Sequence, residues 1–273
     1  MASTKKETAR ASAASKAADS IPAKEPAATQ GGLPLFFKKP VALEKSRHAK
    51  SGLSSTPDLS FAKEANSVAL TALEFIEASK FYPIVFSATD DAVPLAILGL
   101  EKENYFVEAN GAWRNDAYVP AYIRQYPFVF FENESEQKFY LCVDEKSPQF
   151  RVEGGEDTKP FFNADGSASP LTNQALEFCN AYHRHHLVTR EFVADLKKHD
   201  LLLPYQSSFT LKTGRSITLS GFMMINEAAF NALPADVFNE FRSKGWLAFI
   251  YLAMASTSNW KRLSVLADEQ AAN

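Results

Sequence analysis

The chain has 273 residues, of which 46% are hydrophobic and 22% are charged, the balance of an ordinary soluble folded protein. Its two cysteines, Cys142 and Cys179, are too few for a disulfide framework or a cysteine metal cluster. One bridge between them is possible, but we expect two buried free thiols. The longest apolar run, residues 246–255, is about half of the roughly twenty residues that a membrane-spanning helix needs, which excludes an integral membrane protein.

The charges are distributed unevenly along the chain. Residues 1–60 hold ten Lys and Arg against five Asp and Glu, whereas residues 61–273 hold 19 against 27. An acidic body lacks the clustered positive face of a nucleic-acid-binding domain, so we expect nucleic acid to bind weakly at most, and only through the tail. The prediction is a disordered basic tail over 1–60 and a single folded domain over 61–266.

The N-terminal segment contains one apolar cluster. Residues 1–30 are mainly Ala, Ser, Thr, Lys and Pro, without the continuous apolar stretch of a secretory signal, and this favours a cytoplasmic location. The cluster, residues 33–37 (LPLFF), is a short linear element that docks either on the body or on a partner. A loosely held strand or linker is the alternative.

The first half of the body combines one helix with several strands. The apolar spacing from Glu64 predicts an amphipathic helix of about fourteen residues, and Tyr118–Phe128 reads as a short helix bracketed by Pro120 and Pro127. The remaining segments are rich in β-branched and aromatic residues and are predicted strands: residues 81–87, 92–100, 104–108, 128–131 and 138–143. Residues 146–169 have the Gly, Asp, Ser and Pro content of a loop.

The second half is mainly helical. Ser169 and Pro170 predict the start of a long helix that continues to about Lys198, with a break near residues 188–189. A hairpin over 206–212 and 216–224 follows, then helices from Asn226 onward, the last running from Trp246 to about Leu266. Helix, strands, helix, hairpin and helices in this order predict an α+β fold with a mainly antiparallel sheet or meander, a long central helix and C-terminal helices.

Several segments, in order, carry a family resemblance: residues 82–86 (YPIVF), 96–100 (AILGL), 118–128 (YVPAYIRQYPF), 221–222 and 226–227. Over about residues 60–265 this pattern resembles the bacterial SapC-like family. The resemblance implies an S-layer or cell-surface association, which would require export without a signal peptide. It does not extend to the peptide-transporter permease of the same name, because this chain lacks membrane spans.

One aromatic constellation suggests ligand binding. Trp113, Tyr118, Tyr122, Arg124 and Tyr126 lie within fourteen residues and combine flat apolar rings with a fixed cation. Rings of this kind stack on a ligand while a guanidinium grips a carboxylate or phosphate. The alternative is that the aromatic residues pack the helix onto the sheet and that Arg124 caps it or pairs with an acidic neighbour.

Two further groups of polar residues invite a chemical interpretation. Asn226 and Glu227 follow a strand, where they could contact a ligand or act in acid–base chemistry, although capping the next helix is the simpler account. His183 and His186 share a helix face, but a metal site needs a third or fourth donor, so we expect a solvated polar face and no metal. No nucleotide-binding loop motif is present, and we expect no cofactor.

These observations favour a noncatalytic binding or structural protein whose partner, a small molecule or a protein, is unknown. The ligand-binding candidates are Trp113, Tyr118, Tyr122, Arg124, Tyr126, Asn226 and Glu227. The alternative is an uncharacterised enzyme built on Tyr118, Arg124 and Glu227, or an intracellular accessory protein that binds a small molecule through Tyr118–Phe128. No catalytic residue is assigned.

Overall fold

The structure, a computed structural model, describes residues 20–22, 32–133 and 138–272. The strands are β1 (Ser20–Pro22), β2 (Pro40–Ala42), β3 (Gly52–Ser54), β4 (Ser67–Ala69), β5 (Ile84–Ser87), β6 (Pro94–Ile97), β7 (Phe128–Asn133), β8 (Lys138–Asp144), β9 (Phe150–Arg151), β10 (Thr158–Pro160), β11 (Leu202–Thr210) and β12 (Ser216–Ile225). The α-helices are α1 (Lys45–His48), α2 (Phe75–Ala78), α3 (Ala121–Arg124), α4 (Pro170–Lys198), α5 (Glu227–Asn231), α6 (Ala235–Lys244), α7 (Trp246–Ala255) and α8 (Trp260–Ala272). The predicted α+β class, with its antiparallel sheets, long central helix and C-terminal helices, is confirmed.

The largest sheet has the order β4-β6-β5-β12, with β11 on the other edge of β12. These pairs are all antiparallel, whereas β1 pairs with β12 in parallel. Every residue of β4, β5 and β6 is buried. These strands are therefore buried on both faces, as expected for a sheet that is covered on each side.

The β11–β12 hairpin confirms the predicted turn and extends the predicted strands. Between the pairs Tyr205–Phe222 and Ser207–Leu219, β12 has one more residue than β11, and Gly221 in this bulge has a φ of 82°. Glycine adopts that left-handed conformation without strain. Strand β11 begins before Pro204, a residue tolerated on an edge strand because no ladder N–H is needed there.

Two three-stranded sheets, β2-β8-β7 and β10-β3-β9, accompany a second, smaller core. That core includes Phe128, Val143 and Phe161, and all of its buried members are distinct from those of the main core. Helix α4, about 43 Å long at 1.5 Å per residue, contributes to both cores. Its first half places Cys179 in the small core, and its second half places Phe192 in the main core.

Helix α4 begins as predicted and runs without the expected break. The Ser169 hydroxyl accepts a hydrogen bond from the Thr172 N–H, the usual N-cap arrangement. At the expected break, the Thr189 hydroxyl donates to the His185 carbonyl and accepts from the Ala72 N–H. Because its hydroxyl is satisfied within the helix and against the neighbouring segment, Thr189 does not interrupt the helix.

Several further predicted elements differ from the structure, including the predicted loop over residues 146–169, which contains β9 and β10. The expected helix from Glu64 is instead strand β4 followed by a short helical segment that starts after Thr71, because residues 67–69 are buried on both faces and pair with β6. Residues 104–108 form a single bridge, Val107–Trp113, rather than a strand. The helix predicted over 246–266 is interrupted by a 3₁₀ turn at Ser256–Asn259. The Ser256 hydroxyl in this turn accepts the Ile84 N–H and donates to the Ala253 carbonyl.

The folded body begins before residue 60. Residues 1–19 and 23–31 of the predicted tail lie outside the described residues, but residues 32–60 form β2, α1 and β3 and pack on the body. Strand β2 pairs with β8, and β3 pairs with β9 and β10. The basic composition that suggested a tail is therefore compatible with order here, because apolar residues such as Phe37 and Leu53 are buried.

Both cysteines are buried and unpaired, as expected. In the described part of the chain, no helix combines the length and apolar character needed to cross a bilayer.

Candidate functional site

The Tyr118–Phe128 segment contains α3, one helical turn that follows Pro120. Ala121, Tyr122 and Ile123 are buried, so the turn packs into the body rather than standing free. Each end of the segment is held by a buried carboxylate, Glu74 at its start and Asp144 at its end. Neither carboxylate was among the candidates from the sequence.

Glu74 fixes the start of the segment. Its side chain is only 7% exposed, and Oε1 accepts hydrogen bonds from the Tyr118 hydroxyl at 3.0 Å and the Ala121 N–H at 2.6 Å. Its other oxygen, Oε2, accepts from the N–H and the hydroxyl of Thr71 at 2.8 and 2.9 Å. Four donors thus compensate one buried charge. The Thr71-x-x-Glu74 capping box was the sequence signal that could have identified this residue.

Arg124 contacts its own neighbours. The guanidinium donates from Nη2 to the Tyr118 hydroxyl at 2.9 Å and from Nε to the Val119 carbonyl at 3.0 Å. It also lies 5.5 Å from the Tyr118 ring centroid and 5.1 Å from that of Phe178. Burial and the nearby Glu74 charge raise the pKa of Tyr118 to about 12, although Arg124 acts in the opposite direction. Tyr118 therefore keeps its proton at neutral pH.

Trp113 is part of the main core. Its ring stacks on Phe106 with centroids 5.9 Å apart, and its Nε1 donates to the Tyr82 hydroxyl at 3.2 Å. The Tyr82 hydroxyl in turn donates to the Tyr118 carbonyl. The indole thus supports the start of the Tyr118–Phe128 segment from within the core.

Tyr122 and Tyr126 contact a different part of the chain. They face residues 33–39, which we call the arm. Phe36 of the arm lies 5.1 Å from Phe61, 5.9 Å from Tyr122 and 6.2 Å from Tyr126, measured between ring centroids. Such edge-on and tilted contacts are favourable geometries for aromatic pairs.

Further contacts extend this aromatic interface. Phe37 is buried, with its ring 5.1 Å from Tyr126, and the Tyr122 hydroxyl donates to the Leu35 carbonyl at 3.4 Å. The rings of Phe61 and Tyr126 themselves lie 4.2 Å apart. Two of the aromatic residues singled out from the sequence, Tyr122 and Tyr126, therefore contact a peptide segment, and that segment belongs to this chain.

Asp144 receives the backbone of the arm. It is fully buried, and its carboxylate accepts the N–H groups of Lys38 at 2.9 Å and Lys39 at 2.8 Å. It also accepts the Lys146 N–H at 3.0 Å and the Tyr126 hydroxyl at 3.2 Å. We call Phe61, Tyr122, Tyr126 and Asp144 the docking face.

The arm has one strained position. Phe36 has a φ of 79°, a left-handed conformation that is unfavourable for a bulky side chain. The conformation is maintained because Phe36 packs on three rings of the docking face while the following amides bond to Asp144.

An ionic cluster closes the base of the arm. Glu145 pairs with Lys39 at 2.7 Å and with Arg47 at 2.5 Å, and the buried His48 places Nε2 3.4 Å from the same carboxylate. Burial opposes ionisation of Glu145, but hydrogen bonds and charges from Arg47 and Lys39 outweigh it and lower its pKa to about 2. The charge of Glu145 therefore stabilises the docked arm at neutral pH.

Asn226 and Glu227 lie away from the arm. The Asn226 side chain accepts the Ala229 N–H at 3.1 Å and caps α5, the simpler of its two predicted roles. Glu227 is exposed and borders a hollow of about 370 Å³. Neither Arg124 nor Tyr118 lines that hollow, so the structure does not unite the three residues of the enzyme alternative there.

His183 and His186 of α4 are not joined by further metal donors in the described part of the chain. The ring of His183 packs 4.8 Å from Phe139. Within the described ranges, no group of three or more His, Cys, Asp or Glu residues is arranged to hold a metal ion.

Comparison with known proteins gives one match. No curated protein and no solved structure matches the chain. The sequence model of the SapC family, however, matches residues 43–263. This range includes the whole docking face and excludes the arm. Because the match covers most of the chain, the protein belongs to the SapC family.

Proposed function

We propose that this protein is a noncatalytic binding protein whose docking face holds a linear peptide segment carrying two adjacent aromatic residues. The observation that carries the proposal is the seating of the arm, with both Phe36 and Phe37 on aromatic rings and the next two amides on Asp144. Aromatic side chains supply contact area, and main-chain hydrogen bonds supply alignment, as in other modes of peptide recognition.

The extent of the family match supports a separable arm. The four docking residues lie within residues 43–263, whereas residues 33–39 precede that range. The receiving surface thus lies within the matched range, and the segment seated on it lies outside that range. We interpret the arm as an internal ligand that covers the docking face until a partner segment replaces it.

The strain at Phe36 supports replacement. A bulky residue held in the left-handed region costs on the order of 1–3 kcal/mol. A partner segment that reaches the same rings without a positive φ avoids this cost and competes better. The arm nevertheless has the advantage of its covalent tether, which gives an effective concentration in the millimolar range for short connections.

The test therefore uses a full-length chain whose own arm is disabled. Phe36→Ser together with Phe37→Ser removes both rings, and the binding of a fluorescent peptide with the sequence of residues 32–40 is followed by anisotropy. We expect saturable binding to this variant and at least about tenfold weaker binding to the unmodified chain, because the intact arm competes. A peptide with serine at both Phe positions should not bind.

A matched variant controls for the loss of a phenylalanine as such. Phe131 is exposed on β7 and lies outside the docking face, so Phe131→Ser should bind the peptide as weakly as the unmodified chain. If the double variant keeps its cooperative thermal unfolding but does not bind the peptide, the proposal is wrong.

The enzyme alternative has less physical support. Tyr118 has a pKa raised to about 12, which is unsuited to a base at neutral pH, and Arg124 is already engaged with Tyr118 and Val119. A small molecule bound at Tyr118–Phe128 would have to compete with these internal contacts. Arg124→Ala should change ligand-induced thermal stabilisation if such a molecule binds there.

We propose that the protein is located in the cytoplasm. The alternative is the cell surface, which the family resemblance implies. Fractionation of cells followed by immunodetection distinguishes the two. Recovery with the envelope fraction would favour a surface assembly, and recovery with the soluble fraction would exclude it.

A further inference from the structure

A second site is suggested by the hollow beside Glu227. It lies where β12 ends and α5 begins, against the end of α7 and the start of α8. Its lining includes Ile84, Tyr205, Met224, Glu227, Met254 and Trp260. Its volume of about 370 Å³ is within the range of small-molecule sites.

Trp260 provides an unused hydrogen-bond donor. Its ring centroid lies 5.5 Å from that of Phe209 and 5.8 Å from that of Phe222, so the indole at the start of α8 packs against the hairpin. The Nε1 atom is buried and has no hydrogen-bond partner among the described residues. A buried donor without a partner is unfavourable, and a ligand oxygen that accepts from it removes the penalty.

Glu227 provides a negative charge at the same hollow. The residue is exposed and is held in the first turn of α5, because Asn226 caps that helix. Over the described ranges, its carboxylate has neither an ion-pair nor a hydrogen-bond partner. It is thus available to a cation, unlike Glu74 and Asp144, whose oxygens are already occupied.

Most of the remaining lining residues have apolar side chains, and the exceptions are the hydroxyl-bearing Tyr205 and Thr257. Ile84 contributes a buried aliphatic side chain, while Met224 and Met254 are only partly buried. Unbranched methionine side chains change rotamer easily. They can therefore adjust to an apolar group of a ligand.

We infer that this hollow binds a small apolar amino-acid derivative that carries both an ammonium group and a carbonyl oxygen. The ammonium pairs with Glu227, the carbonyl accepts from Trp260, and the apolar side chain lies among the methionines. The site shares no residue with the docking face, so the inference does not depend on the proposed peptide binding.

The test uses the full-length chain and phenylalaninamide as the probe, at about pH 6, where its ammonium is charged. The indole N–H signals of the three tryptophans are followed by nuclear magnetic resonance, and Trp260→Phe identifies the relevant signal. We expect a saturable shift of the Trp260 signal and no comparable shift of the Trp113 or Trp246 signals. The acetylated, uncharged amide should bind about tenfold more weakly, since it lacks the ion pair.

Two matched variants separate binding from general charge effects. Glu227→Gln should weaken binding of phenylalaninamide about tenfold. Asp236→Asn also removes one exposed carboxylate from the first turn of a helix, but away from the hollow, and should leave the affinity unchanged. The inference is overturned if the Trp260 signal does not shift saturably, or if the unmodified chain and Glu227→Gln bind the probe equally. Both substituted positions are exposed, so the variants should fold normally.

Discussion

Glu74 and Asp144 hold the two ends of the Tyr118–Phe128 segment in similar ways. Each is a buried carboxylate that accepts four hydrogen bonds. All donors to Glu74 come from within the family-matched range, whereas two of the four donors to Asp144 are arm amides that lie outside it. We therefore expect Glu74 to act as a permanent anchor and the contacts between Asp144 and the arm to be exchangeable.

The largest effect is expected from Glu74→Gln. The substitution keeps the shape but turns an amide N–H₂ toward hydrogen-bond donors, and the loss should be about 3 kcal/mol of unfolding free energy. Denaturant unfolding measures it. Glu77→Gln, which alters an exposed carboxylate one helical turn away, should change stability by less than about 0.5 kcal/mol. A loss at Glu74 no larger than that at Glu77 would show that the anchor is unimportant.

Asp144→Asn should have a smaller but more localised effect. We expect a loss of about 2 kcal/mol, because the two arm amides can return to water while Lys146 and Tyr126 lose a charged acceptor. Trypsin should cleave the arm after Lys38 about tenfold faster than in the unmodified chain. Asp157→Asn, a change at an exposed site, provides the control. Unchanged cleavage would mean that Asp144 does not hold the arm.

Substitutions at Phe36 test the strain. Both Phe36→Ala and Phe36→Gly lose the ring contacts, but glycine tolerates the φ of 79° and should be about 1 kcal/mol more stable than alanine. At Phe37, which is outside the left-handed region, alanine should be the more stable of the two. Thermal unfolding of the four variants measures these differences. The same order at both positions would contradict the strained conformation.

The smallest effect concerns pH. The pKa of Glu145 is lowered from 4.5 to about 2 in the folded protein, so its contribution is complete above about pH 4.5 and is lost as the pH falls toward 2. The melting temperature of the unmodified chain should fall more steeply over this interval than that of Glu145→Gln. Glu153→Gln, at an exposed position, should follow the unmodified chain. Parallel curves for all three proteins would show that the charge of Glu145 does not contribute to stability.

Helices and strands that are marked by local sequence signals could be predicted better than contacts between residues that are distant in the chain. Ser169 and Pro170 correctly predicted the start of α4, and Asn226 that of α5, because a helix cap depends on residues only a few positions apart. The spacing of apolar residues around Val68 wrongly predicted a helix. A short strand that is buried on both faces lacks the alternation of polar and apolar residues by which a strand is recognised.

The candidate site was only partly predictable for the same reason. Tyr122 and Tyr126 were identified because several aromatic residues lie close together in this part of the sequence. The arm that covers them, however, lies more than eighty residues earlier in the chain. Asp144 bonds to amides 105 and 106 residues away, a pairing that no local pattern encodes.

Native-state hydrogen exchange tests the contrast between the two anchors most directly. The Lys38 and Lys39 amides report on Asp144, and the Thr71 and Ala121 amides report on Glu74. We expect the arm amides to exchange through a local opening of lower free energy, and the Thr71 and Ala121 amides to exchange only on global unfolding. If all four amides exchange with the same opening free energy, the arm is an inseparable part of the fold and the exchangeable docking face is contradicted.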